Sequence, residues 1–329
     1  MRFIPAAAFR TLAFAAALFV PALMPVLADA QSYPSRPIHL VVPFSAGGAV
    51  DTVGRTLGEK LATELGQTVI IENKPGASAN IGADFVAKAA PDGYTLLLGA
   101  NGLATNMSLF HTLPFNTLKD FAPISLVGNA PLVLVVPADS PIKSLHDLLA
   151  KGRADKTALS YGSAGNGSSG HLASALLESV GKFQALHVPY KGGAPALVDL
   201  MAGRISFMLL NPLEVAPHLK SGRLRALAVS STQRLPILPD VPTMAEAGLP
   251  GFEAGVWWAL VAPAGTPHEV IEKLSAATQK ALADPAVRQR LTALGAIVTP
   301  STPEQLAAFL QAEVTKWARV IKAADITVE

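Results

Sequence analysis

The strongest constraint on this chain is a rhythm. Short apolar runs bounded by proline or glycine alternate with stretches in which apolar residues recur every three or four positions. The first pattern suits buried strands, and the second suits helices with one apolar face. A sustained alternation buries both surfaces by laying helices on sheets, so it predicts an α/β protein with mostly parallel sheets. Residues 37–43 (PIHLVVP) read as a strand, followed by a turn over Phe44, Ser45, Ala46, Gly47 and Gly48. Val50, Val53, Leu57, Leu61 and Leu65 then keep helical spacing, and Gly66 supplies the stop. A strand over 68–72 runs into the turn Asn73-Lys74-Pro75-Gly76, with a helix over 81–89 and a strand over 94–99. Two extended segments, 121–128 and 132–137, flank a turn at Asn129-Ala130-Pro131. The rhythm then restarts and continues to a strand at 225–229, with a Gly/Ser-rich loop over 162–170. After a proline-rich loop, a strand over 252–261 carries Trp257 and Trp258, and helices over 267–283, 285–294 and 303–323 close the chain. No tandem repeat at a solenoid period is present; two sets of βαβ units are the only duplication of theme.

A length of 329 residues exceeds one average domain and favours a two-lobed body. With 50% hydrophobic and 15% charged residues the chain has ample material for a large core, which excludes disorder. Lys and Arg together number 26 against 24 acids, a net charge of +2, so a nucleic-acid binder working through a basic field is excluded. The absence of cysteine removes disulfides, thiolate metal sites and a cysteine nucleophile. The seven histidines show no H-E-x-x-H or H-x-H spacing, and neither G-x-S-x-G nor G-x-x-x-x-G-K-[ST] occurs.

The first thirty residues read as an address. Arg2 and Arg10 precede an apolar stretch over 11–27, and Ala28-Asp29-Ala30 offers the small-x-small pattern of a cleavage site. A signal peptide over 1–30, cleaved after Ala30, would deliver the protein to the periplasm with Gln31 at its new end. The alternative, a membrane anchor, is opposed by Pro21 and Pro25, which interrupt a run shorter than the ~20 apolar residues a span needs. No cysteine follows, so a lipid anchor is excluded.

Two strand-to-helix loops could hold a ligand. In Ser45-Ala46-Gly47-Gly48-Ala49-Val50-Asp51, glycines let the backbone approach a ligand, and the helix start offers free N–H groups to an anion. Asp51 lies in the first helical turn, where it either caps N–H groups or faces an amino or hydroxyl group of the ligand. The second loop, 162–170, runs Gly-Ser-Ala-Gly-Asn-Gly-Ser-Ser-Gly and formally contains G-x-G-x-x-G. A dinucleotide site also needs an acid ~20 residues on, but that region is Val188-Pro189-Tyr190-Lys191. What survives is a donor-rich loop suited to a carboxylate. His171 beside Ser168 and Ser169 reads as a capping or packing residue, and the two tryptophans as packing.

Five blocks in order carry a family resemblance: VVPFSAGGAVD (41–51), ENKPGASANIGADFVAKAAPDGYTLLLG (72–99), VPYKGGAPALVDLMAGRISFM (188–208), LPDVPTMAEAGLPGFE (238–253) and WALVAPAGTP (258–267). On these the chain resembles the tripartite tricarboxylate transporter receptors, the Bug family of periplasmic solute-binding proteins, over nearly its whole length beyond the leader. The resemblance implies a type II periplasmic-binding fold: two α/β lobes joined by two crossover segments, with a ligand cleft between them. It places 31–130 plus 252–329 in lobe one and 131–251 in lobe two. It also implies capture of a small carboxylate without a cofactor or metal, by Ser45, Ala46, Gly47, Gly48 and Asp51 from lobe one and Ser163, Gly167 and Ser168 from lobe two. Asn101, after the strand over 94–99, is a further contact on this reading. Two departures stand out. Many members carry Asp-Asn where this chain has Leu210-Asn211, so Asn211 and its surroundings would set a different specificity at the far end of the ligand. The family's Gly-rich turn reads Gly76-Ala77-Ser78-Ala79-Asn80 here.

The expected function is therefore a periplasmic, non-enzymatic receptor for a mono-, di- or tricarboxylate, an amino acid or an aromatic acid. It would act as a monomer and hand its ligand to membrane permease subunits, with hinge closure of the lobes. Two rivals remain: a sensor that passes its liganded form to a signalling partner, and a periplasmic α/β hydrolase. A nucleophile and base within ~3.2 Å of each other in the cleft would favour the hydrolase.

Overall fold

Residues 38–42 show how the pattern becomes structure. Ile38, Leu40 and Val42 enter one buried cluster while Val41 enters another, so a strand of five residues is covered on both faces. A computed structural model describes residues 33–190, 192–293 and 295–328; the signal peptide and its cleavage site lie outside them, as does Lys191. In chain order the elements are β1 (Ile38–Val42), α1 (Ala49–Leu65), β2 (Val69–Asn73), a short 3-10 turn (Ala77–Ala79), α2 (Asn80–Ala87), β3 (Thr95–Ala100), α3 (Gly102–Leu109), β4 (Phe121–Pro131), β5 (Val133–Pro137), α4 (Leu145–Ala154), β6 (Ser160–Ser163), α5 (Ser169–Gly181), β7 (Leu186–Pro189), α6 (Gly193–Met201), β8 (Met208–Leu210), α7 (Pro212–Lys220), β9 (Leu224–Val229), β10 (Gly255–Pro263), α8 (His268–Ala283), α9 (Pro285–Ala293), β11 (Ile297–Val298) and α10 (Pro303–Ala323).

The first lobe is built on a six-stranded sheet in the order β11-β4-β10-β3-β1-β2. Strand alternation divides its side chains cleanly: Leu40, Leu96, Leu98, Trp258 and Leu260 face α1 and α8, whereas Val41, Leu97, Trp257 and Val261 face α2, α3 and α10. Each of these large side chains, fully buried, stabilises the fold by about 1.5–3 kcal/mol. Gly54 and Gly58 let α1 settle close to the sheet. A Cβ at either would come within 2.8 Å of Val42 or Ile71. The second lobe carries the three-stranded sheet β8-β5-β9 and the pair β6-β7, linked by a bridge between Tyr161 and Phe207.

Three expectations change. The sheets are mixed rather than mostly parallel: β1 runs parallel to β2 and β3, and β6 to β7, but β10 is antiparallel to β3 and β4, β11 to β4, and β5 to β8 and β9. The antiparallel strands β4, β5 and β10 are those at the passages between lobes, whose direction a local pattern does not encode. The turn at Asn129-Ala130-Pro131 is absent, because these residues continue β4 and pair with Gly255, Val256 and Trp257 of β10. Finally, α3 and β11 were not expected.

The chain passes from the six-stranded to the three-stranded sheet at Leu132, and returns over 230–254. One serine joins the two passages. Ser230 N–H donates to the Leu132 carbonyl at 2.9 Å, its Oγ accepts from Leu132 N–H at 2.7 Å, and its hydroxyl donates to the Ala254 carbonyl.

Candidate ligand-binding site

In lobe one, α2 and α3 begin beside one small cavity of about 10 Å³, and α1 begins five residues after Phe44, which lines it. The cavity is lined by Pro43 and Phe44 after β1, Ala79 and Asn80 at the start of α2, Gly99 and Ala100 at the end of β3, and Gly102 at the start of α3. The N-cap residues of α1, α2 and α3 are Gly48, Ala79 and Asn101, and none makes a side-chain capping bond. A helix start carries the positive end of the helix dipole, equivalent to roughly half a charge per helix. The lining contains no charged side chain, so the backbone sets the local field. The starts of α2 and α3 therefore favour an anion at this place.

The turn that delivers α2 is held under strain. Ala77, Ser78 and Ala79 have φ of 46°, 54° and 76°, left-handed values that cost a non-glycine residue about 1–2 kcal/mol each. Asn106, 3% exposed on α3, restrains it: its Nδ2 donates to the Ser78 carbonyl at 2.9 Å and to Asn80 Oδ1 at 2.6 Å. Neither Asn80 nor Asn106 was singled out in the sequence. The run of non-glycine residues in the Gly-rich turn was the available signal.

The first Gly-Gly loop is braced from below. Ser45, Ala46, Gly47 and Gly48 are exposed, but the Asp51 side chain is only 3% exposed. Its Oδ2 accepts from Gly47 N–H at 2.8 Å and Arg55 Nε at 2.9 Å, and its Oδ1 accepts from Asn73 Nδ2 at 2.9 Å. Asn73 also donates to the Phe44 carbonyl at 3.0 Å. The hydrogen bond from Arg55 leads in lowering the Asp51 pKa to about 2, Gly47 and Asn73 add to it, and burial works against them. Asp51 is thus ionised and fully committed to the protein. It neither caps the helix nor presents a free oxygen to a ligand; it shapes the loop that does face outward. Asn101 is committed too. Its Nδ2 donates to the Gly255 carbonyl at 2.7 Å and its Oδ1 accepts from Trp257 N–H at 2.9 Å, continuing the β3–β10 ladder by a side chain.

In lobe two, Ser163 is 1% exposed, Ser168 caps α5 by accepting from His171 N–H at 3.4 Å, and Asn211 caps α7 by accepting from Leu213 N–H at 3.0 Å. The Ser168 hydroxyl and the Asn211 amide nitrogen keep donors that no described residue takes. Gly167 N–H is taken by His171 Nδ1 at 3.1 Å. A Cβ at Gly167 would come within 3.1 Å of Leu109, so this loop lies against the C-terminal end of α3, whereas the first loop lies near the helix starts. No hydrogen bond among the described residues joins the two loops.

Ser163 Oγ lies 2.7 Å from His187 Nε2, a distance that meets the test set for a hydrolase. The arrangement does not serve that chemistry. Ser163 is buried from any substrate, its Oγ also contacts the Gly165 backbone, and Glu178 nearby accepts the Ala185 N–H instead of orienting His187. Among the described residues no three His, Asp or Glu side chains converge as metal ligands, and no helix is long and apolar enough to cross a membrane.

Comparison with known proteins agrees with this geometry. The family described as "Tripartite tricarboxylate transporter family receptor" matches residues 53–326. The structure of the periplasmic binding protein BugD is 39% identical, covers 89% of this chain and 99% of its own, and superposes with a TM-score of 0.71. Rpa4515 of R. palustris, solved with adipate, is 36% identical, covers 90% of this chain and 100% of its own, and gives 0.74. MatC of Rhodopseudomonas palustris, solved with bound malate, is 38% identical over 88% of this chain and 100% of its own, and gives 0.71. With its two-lobed α/β fold and this match over most of its length, the chain belongs to the tripartite tricarboxylate transporter receptors and is a solute-binding protein of the Bug type rather than an enzyme.

Proposed function

We propose that this protein captures a small dicarboxylate in the periplasm and presents it to the membrane subunits of a tripartite tricarboxylate transporter. The supporting observation is that α1, α2 and α3 all begin without a side-chain cap, and that α2 and α3 begin at one cavity without a charged side chain. Such a site holds a carboxylate by N–H groups and dipoles, and it gains little from a neutral ligand. Rpa4515 and MatC were solved with adipate and malate, both dicarboxylates, which favours the same class here. The contacts in this reading are Ser45, Ala46, Gly47 and Gly48 from lobe one and Gly167, Ser168 and Asn211 from lobe two, with Asp51, Asn101 and Ser163 holding the loops in shape. Strand membership supports lobes of 31–130 plus 252–329 and 131–251, because β1–β4, β10 and β11 share one sheet and β5–β9 lie outside it. The signal sequence over 1–30 supplies the route to the periplasm.

Calorimetry with malate, adipate and their diamides tests the proposal, on the wild type and on Gly48→Val. Gly48 has φ −79° and ψ 172°, and its nearest prospective neighbour is the Ser45 carbonyl at 3.5 Å, so valine fits the fold while filling the loop's outer face. The wild type should bind at least one dicarboxylate and no diamide, and Gly48→Val should bind at least tenfold more weakly with unchanged melting. Equal binding of acid and diamide, or full affinity in the variant, would refute the assignment.

A further inference from the structure

The donor-rich loop of lobe two rests on two imidazoles that face each other. His171 on α5 and His187 on β7 stack with ring centroids 3.8 Å apart and planes 12° apart, and Tyr161 of β6 stacks on His187 at 4.9 Å. Each ring holds one end of the loop. His171 Nδ1 accepts the Gly167 N–H at 3.1 Å, and His187 Nε2 meets Ser163 Oγ at 2.7 Å, which also lies 3.1 Å from the Gly165 carbonyl. An imidazole nitrogen accepts a hydrogen bond only while it carries no proton. The Gly167 bond therefore fixes His171 as neutral, with its proton on Nε2.

The surroundings keep it so. His171 is 5% exposed, and its pKa is lowered to about 4, first by burial and then by His187, whose own pKa burial also lowers. The titratable and charged groups facing the pair are Tyr161 from β6, Glu178 from α5, and Lys156 and Asp325 across a cavity of about 870 Å³ that opens beside the rings. Glu178 is bonded to Ala185 N–H at 2.6 Å and to Tyr161, and burial raises its pKa, so it offers no free carboxylate to draw a proton onto His171. The residues of α10 that line the same cavity, Val320 and Ala323, are apolar.

We propose that His171, held neutral on His187, is a positioning residue of the receptor: it keeps the 163–170 loop in the shape that receives the ligand carboxylate, and a proton on its ring undoes that shape. This rests on the reading that the loop contacts the ligand, and it extends that reading to a residue that does not touch the ligand.

Nuclear magnetic resonance and calorimetry on the full chain test the proposal, with malate and adipate as probes and His171→Asn and His171→Phe as variants. Asparagine sets Oδ1 near the place of Nδ1, accepts the Gly167 N–H and does not titrate. At neutral pH, His171→Asn should bind within about threefold of wild type, and His171→Phe at least tenfold more weakly with unchanged circular dichroism. In the ligand-free wild type, the Gly167 amide resonance should move in step with the His171 ring titration, and in His171→Asn it should not respond to that range of pH. Saturating malate should lower the His171 titration midpoint, because binding favours the neutral ring. Full affinity in a folded His171→Phe, or a midpoint that malate leaves unmoved, would overturn the role. A Gly167 amide indifferent to the ring's titration would overturn it without any ligand. Failure of the wild type to bind either acid, with that amide coupling intact, would instead refute the carboxylate assignment.

Discussion

Replacing Asp51 by asparagine separates a loop brace from a ligand contact. The carboxylate accepts three donors on two oxygens, from Gly47, Arg55 and Asn73, in a side chain that is 3% exposed. An amide has one acceptor. With that oxygen in the place of Oδ2, Gly47 and Arg55 keep their partner, and the new NH2 group confronts Asn73 Nδ2. Asn73 can relieve this clash by turning its own amide, at the expense of its bonds to the Phe44 carbonyl at 3.0 Å and from Arg55 at 3.1 Å. The charge-assisted bond from Asn73 is inverted, and the bonds of Asn73 to Phe44 and from Arg55 are lost, about 2 kcal/mol in total, moderated because the Arg55 side chain is 53% exposed and screened by water. The sign of the pH dependence follows from the direction of the shift. Asp51 titrates at about 2 in the folded chain, below its ordinary value of 3.8, so its contribution is present above pH 3.8 and is lost as pH falls toward 2. Urea unfolding should therefore show Asp51→Asn less stable by about 2 kcal/mol at pH 7, with the gap closing toward pH 2. Affinity should fall alike for malate and aspartate, since the damage is to the loop. Unchanged unfolding at pH 7 together with a loss confined to aspartate would refute this reasoning and place Asp51 against a ligand amino group.

Two further outcomes follow from strain and from burial. Ala79→Gly should raise stability by roughly 0.5–1 kcal/mol in thermal melts, because φ of 76° suits glycine and the relief exceeds the added freedom of the unfolded chain; a lower melting temperature would show that the turn is not strained. Glu313 is 7% exposed and accepts the indole N–H groups of Trp257 and Trp317, each at 2.9 Å, so Glu313→Leu should cost about 2–5 kcal/mol in urea unfolding and Glu313→Gln clearly less, and equal costs would deny the shared acceptor.

The sequence carried most of the first lobe's core because alternation and helical spacing are local. β1 and α1 bury Leu40, Val42, Val53 and Leu57 as their spacing predicts. Helix α3 was illegible because its buried face mixes Leu103 and Leu109 with Thr105 and Asn106, which no apolar stripe announces. Strand β11 has only two residues. The antiparallel course of β4, β5 and β10 depends on where the chain passes between sheets, and a local pattern holds no record of direction. At the site, glycine and serine marked both loops by composition. Their support did not show: Asn73 lies 22 residues from Asp51 and reads as part of a turn, and His187 lies 16 residues from His171 on a different element. Bonds of that kind are decided by packing.

The placement of the indoles has an optical consequence. All three tryptophans of the chain, Trp257, Trp258 and Trp317, are at most 3% exposed. Trp257 and Trp258 stand on β10 just after it leaves the second passage between the lobes, and Trp257 shares the charge of Glu313 with Trp317. None lines the cavity at the starts of α2 and α3. Emission from an indole shifts with the position of a nearby carboxylate, so the protein's ultraviolet fluorescence would report any movement of Glu313 against β10. If the proposed dicarboxylate draws α10 against β10, rapid mixing would read the rate of that movement from the indoles without a dye.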